Sequence, residues 1–249
     1  MMSIQSSPRP RLRSRFLVLW LAGVVSVVLV LPYVLTLQGA ILESLGIPLP
    51  ALLAASVTQS AVLLAVAVFV GLRAADAVGL GTPLTDAVAR RLGVRSAFMR
   101  LGPFSAAAIG AVAALAIVAL EVVVFRPLIP EFTAAAAGVA PSRLQGLLAS
   151  FYGGIGEEIL TRLFLVSVLA WLMRGRAIGL AILIAALLFA AGHLPAAAGI
   201  SPLTPALIAR TLVLNSLAGI AFGWLYWRRG LEAGMVAHFS ADIVLHVSE

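Results

Sequence analysis

Long apolar runs alternate with short polar joints along the whole chain. The runs are Phe16–Leu37, Pro50–Leu72, Gly102–Phe125, Leu147–Met173, Ala177–Leu194, Pro205–Trp227 and Leu231–Val247. A helix of about 20 apolar residues crosses the hydrocarbon of a bilayer. The pattern therefore predicts an all-α, polytopic transmembrane helix bundle of about seven spans. The range is six to eight, because the fifth run is short and the fourth is long enough to tilt or break. One transmembrane domain is expected over 16–249. No internal repeat is visible, and the paired, broken spans of many secondary transporters are absent.

The joints set the topology. Arg9, Arg11, Arg13 and Arg15 precede the first run, and residues 1–15 read as a disordered basic cytoplasmic tail. Arg73, Arg90, Arg91, Arg95 and Arg100 follow the second run, Arg174 and Arg176 the fourth, and Arg228 and Arg229 the sixth. These joints share one side of the membrane, and the opposite joints are nearly free of Arg. The positive-inside rule then puts the N-terminus in the cytoplasm and the C-terminus outside, in the plasma membrane. The long connection 74–99 contains an amphipathic piece, Leu84–Leu92, and predicts an interfacial helix lying on the bilayer.

Composition narrows the class. The chain is 62% hydrophobic and 11% charged, against about 25% charged in soluble domains. The net charge of +7 comes from Arg alone and sits in joints, so nucleic acid is not an expected partner; membrane lipid is. With no Cys, disulfides, thiolate nucleophiles and Cys-ligated metals are excluded.

Against this background a few polar residues stand out. Glu157, Glu158 and Arg162 lie in the middle of the fourth run, where each ionised group costs roughly 2.5–3.5 kcal/mol even on lenient insertion scales. Residues four apart share a helix face, so Glu158 is expected to neutralise Arg162. Glu157 points about 100° away and stays free for chemistry. Phe189 and His193 repeat the spacing in the fifth run, and His238 and Asp242 in the last. A carboxylate beside an imidazole fixes its tautomer, and Asp242 is expected to do so for His238. Rising 1.5 Å per residue from the Arg-rich joints, Glu157 and His193 match in depth, whereas His238 fits only if the last span starts late or tilts. One free carboxylate, two imidazoles and an Asp can activate water as general bases. Glu157, His193 and His238 are also the residue types that hold Zn²⁺. Both readings lead to hydrolysis. The competing classes are a small proton-coupled transporter and a non-catalytic membrane scaffold or immunity protein, each retaining the same polar set.

The ordered set Glu157-Glu158-x-x-x-Arg162, Phe189-x-x-x-His193 and His238-x-x-x-Asp242 resembles the CAAX-protease and bacteriocin-processing (CPBP) family, also called Abi. The resemblance covers about 143–249. It implies an intramembrane endopeptidase acting on a protein or peptide, lipidated in the eukaryotic branch. By the same resemblance Glu157 and His193 activate the attacking water, His238 and Asp242 stabilise the oxyanion or hold substrate, and Arg162 with Glu158 is structural. Many relatives have Asn where this chain has Asp242.

Overall fold

A computed structural model describes residues 10–44, 46–138 and 141–247. Every regular element among them is helical. Five helices are long and apolar enough to cross a membrane: Leu12–Gly39, Leu49–Val78, Pro103–Leu128, Ile178–Ala198 and Pro205–Arg229. The two remaining runs of the expected seven are also helical, and they carry the polar motifs. The fourth is interrupted: α-helix gives way to π-helical turns at Tyr152–Glu157 and Ile159–Val166. The last spans only 16 residues, Leu231–His246, or about 24 Å of helix.

The order is α1 (Leu12–Ser44), α2 (Leu49–Val78), α3 (Pro83–Arg90), α4 (Val94–Arg100) and α5 (Pro103–Leu120). A π-helical turn at Glu121–Phe125 leads to the short α6 (Arg126–Leu128) and α7 (Pro130–Ala137). The motif region follows: α8 (Arg143–Phe151), the two π segments, α9 (Ser167–Leu172), α10 (Ile178–Ala191), α11 (Leu194–Ala198), α12 (Pro205–Arg229) and α13 (Leu231–His246).

Small residues let these helices approach closely, as apolar burial alone does not drive helix association in lipid. A side chain on Gly110 of α5 would run into the Ala237 backbone of α13. A Cβ at Gly223 of α12 would lie 2.7 Å from Ile182 of α10. One core patch joins α5, α12 and α13 through Ala114, Leu214, Phe222 and Ala237. A second joins α1, α2 and the π segments through Leu19, Leu64, Ile159 and Leu163. The large exposed apolar residues, such as Val66, Phe104 and Val123, face outward as a lipid-facing surface requires.

One expectation changes at the Arg-rich end. Residues 1–9 lie outside the described segments, but Leu12–Arg15 are helical rather than tail. Arg15 is only 1% exposed and bonds Asp76 at 2.8 Å, Asp86 at 2.8 Å and Thr82 at 3.0 Å. An Arg held by two acids is pulled into the fold, so helix α1 begins before the apolar run does. The amphipathic piece expected in the 74–99 connection is a helix, α3. Helix α2 continues to Val78, and α3 turns inward, burying Thr85 and Ala87. Glu232 of α13 accepts the Thr85 backbone N–H at 2.7 Å, and Leu231 N–H donates to Gly81 at 3.0 Å. Gly230 makes this possible: its φ of 102° favours glycine, and a Cβ there would meet Pro83. The segment 81–90 is thus a strap between α1 and α13.

Candidate active site

The site is built on the interrupted fourth segment. A π turn widens the backbone and re-aims side chains, and such turns concentrate at functional sites. Glu158, at the junction of the two π segments, is completely buried. Its Oε1 takes two bonds, from Arg162 at 3.0 Å and from the Nδ1–H of His238 at 2.8 Å. The expected Glu158–Arg162 pair is therefore present, with a second role added. Glu158, and not Asp242, fixes the tautomer of His238. Residues 158 and 238 lie on different helices, so helical spacing carried no sign of this contact.

Arg162 is 2% exposed and needs several partners to be tolerated there. It donates to Thr161 Oγ1 and to the Gly219 carbonyl, the latter at 3.1 Å. The guanidinium also lies over two rings, Phe189 at 5.0 Å and Phe222 at 5.4 Å. Phe222 stacks on His238 with ring centroids 4.6 Å apart. Phe222 thus joins Arg162 to the imidazole, a role with no motif to announce it.

With Nδ1 engaged, His238 presents Nε2 to two carboxylates. Glu157 Oε2 is 3.7 Å away and Asp242 Oδ1 is 3.6 Å away. Glu157 is 23% exposed and Asp242 13%, so neither is sealed in the interior. Gly153 sets this arrangement: a Cβ there would collide with Asp242 Oδ2 and lie 3.1 Å from His238 Nε2. At Gly154 a Cβ would lie 2.9 Å from Phe239, so the pair lets α13 lie flush against the π turn.

By depth His238 meets Glu157 only if the last span starts late or tilts; the structure has the two side by side, with Glu157 Oε2 3.7 Å from His238 Nε2. His193 joins the cluster through Phe189, whose ring centroid is 4.7 Å from His193 and 5.9 Å from His238. The Nδ1–H of His193 donates to the Phe189 carbonyl at 2.9 Å, which leaves Nε2 as its unbound nitrogen. His246 is exposed, with its ring edge 5.7 Å from Tyr33.

Among the described residues no group of three or more His, Cys, Asp or Glu side chains is placed to hold a metal ion. Two further charged residues are buried outside the motifs: Arg15, which counts among the joint arginines, and Glu232, 5% exposed in the first turn of α13, where an acid inside an apolar run is itself a signal.

Comparison with curated proteins and with solved structures gave no match. Comparison with protein families gave one: residues 139–244 match the model described as Rce1-like, type II CAAX prenyl endopeptidase. The matched segment contains Glu157, Glu158, Arg162, Phe189, His193, His238 and Asp242. Residues 139–244 are thus similar to the Rce1-like domain of the CAAX-protease (CPBP) family, and they lie in an integral membrane protein.

Proposed function

We propose that this protein is an intramembrane endopeptidase that cleaves a membrane-associated protein or peptide, with Glu157 as the base that activates water. The observation that carries this reading is the contrast between the two adjacent acids. Glu158 is fully buried and doubly bonded, whereas Glu157 is partly exposed beside an imidazole nitrogen that is free to take part. The 3.7 Å between Glu157 Oε2 and His238 Nε2 lets one water sit at hydrogen-bond distance, about 2.8 Å, from both.

In the proposed reaction Glu157 takes a proton from that water as its oxygen adds to the peptide carbonyl carbon. His193, with Nε2 unbound, assists from the other side of Phe189. The carbonyl oxygen becomes an oxyanion, and His238, held by Glu158, donates to it from Nε2–H in its protonated form. Asp242 holds the substrate or the imidazole. The C–N bond then breaks, the proton on Glu157 passes to the leaving nitrogen, and an amine and a carboxylate result. The proposed steps use this chain's own side chains. We place the Arg-rich end in the cytoplasm of a plasma-membrane protein, on the arginine asymmetry of the joints.

The test is cleavage of a lipidated CAAX-type peptide by protein reconstituted in lipid. Wild type should cleave it and Glu157→Gln should not. Native-rate cleavage by Glu157→Gln would overturn the assignment of the base. A chelator should leave the rate unchanged; loss restored by added Zn²⁺ would bring a metal into the mechanism.

A further inference from the structure

At the Arg-rich end a cleft of about 480 Å³ opens between the ends of α2 and α9, lined by Ala77, Val78, Trp171, Arg174 and Gly175. None of these residues belongs to the site described above. Arg174 is exposed and holds a left-handed backbone, φ 55°, which a non-glycine residue rarely adopts. Neither Arg174 nor Arg73 is ion-paired among the described residues. Trp171 is 52% exposed and Leu172 is 65% exposed. An exposed Trp beside Arg at the end of an apolar helix is the chemistry of a membrane–water interface.

Below the cleft runs a continuous face of α2. Val62, Val66, Phe69, Arg73 and Ala77 succeed one another at spacings of three or four, so they share one side of the helix. Val62, Val66 and Phe69 are exposed, and the Arg73 guanidinium lies 5.3 Å over the Phe69 ring. From Ala77 to Val62 this face is about 22 Å long. That length covers a headgroup region and one leaflet of hydrocarbon, about 15 Å.

We propose that this cleft and the α2 face below it bind one anionic phospholipid. Arg174 and Arg73 take the phosphate, Trp171 packs at the glycerol level, and an acyl chain lies along Phe69, Val66 and Val62. An acidic peptide fits less well, because the surface continuing from the cleft is apolar and sits at lipid depth. The guanidiniums select negative headgroups over zwitterionic ones.

The test uses full-length protein, delipidated in detergent and titrated with phosphatidylglycerol, phosphatidylcholine or inorganic phosphate, with binding followed by native mass spectrometry and thermal shift. Phosphatidylglycerol should bind and stabilise, and the other two should not. Arg174→Gln should weaken phosphatidylglycerol roughly 5-fold and Arg73→Gln/Arg174→Gln roughly 30-fold, as each basic residue at an anionic surface contributes about that factor. Arg176→Gln, outside the cleft lining, is the folding control and should change little. Equal binding of the two lipids, stabilisation by phosphate alone, or undiminished phosphatidylglycerol binding by the double variant would overturn the proposal. Peptidase activity is read separately, so this result does not depend on the catalytic assignment.

Discussion

Glu157 and Glu158 are chemically identical neighbours whose surroundings give them different work. Glu157→Gln removes a base that makes no bond to Arg162. It should lower kcat by roughly 10²- to 10⁴-fold, the usual contribution of a positioned base, and leave thermal unfolding unchanged. Glu158→Gln should do the reverse first. The neutral amide leaves fully buried Arg162 without its opposing charge and weakens the bond from the His238 Nδ1–H, so stability should fall by about 3–5 kcal/mol. Unfolding temperature and turnover measured on both variants separate the two acids; equal destabilisation would show that they share one role. Asp242 tests a different point. Asp242→Asn keeps the shape and one acceptor oxygen and should retain activity, whereas Asp242→Ala should lose it. The i, i+4 pairing of Glu158 with Arg162 was legible because helix geometry relates near neighbours. The bond to His238 was not, because it depends on how two helices pack.

At the scale of elements, the interrupted fourth segment and α13 form one unit. The apolar runs reveal where these helices lie, since hydrocarbon demands continuous apolar stretches. They do not reveal the π turns, because a wide turn leaves hydrophobicity unchanged. Gly153, Gly154 and Gly156 were a usable signal, read only as part of an apolar run. Gly153 and Gly154 bring α13 close, since the space a Gly153 side chain would take is already held by Asp242 and His238, whereas Gly156 makes room beside Tyr152 and Ser26 of α1. Gly153→Ala should therefore push α13 away locally while leaving the spans in place. The expected outcome is a loss of kcat of at least tenfold in a protein that still purifies as a folded species. Unchanged turnover would mean that the distance from Asp242 to His238 is not critical.

At the scale of the molecule, the N-terminal helix lies outside the Rce1-like segment yet is fastened to it. Positive-inside counting treated Arg15 as one more loop charge, and charge counts cannot distinguish a solvated Arg from one chelated by acids. Arg15 holds Asp76 and Asp86; Asp86 belongs to α3; and α3 is capped by Glu232, six residues before His238. A path of direct bonds thus runs from α1 to the helix that carries half of the site. Arg15→Ala leaves two acids facing each other without their cation. Since Asp76 and Asp86 are partly exposed, water offsets some of the loss, and about 1–3 kcal/mol of stability should go. The strap should also loosen its hold on the first turn of α13. Hydrogen exchange should rise there, at 231–236, as well as at 81–90, in Arg15→Ala but not in Glu157→Gln. Exchange confined to α1 and α3 would instead mean that the strap ends at Thr85, and that the first turn of α13 is held by its packing against α5 and α12 alone.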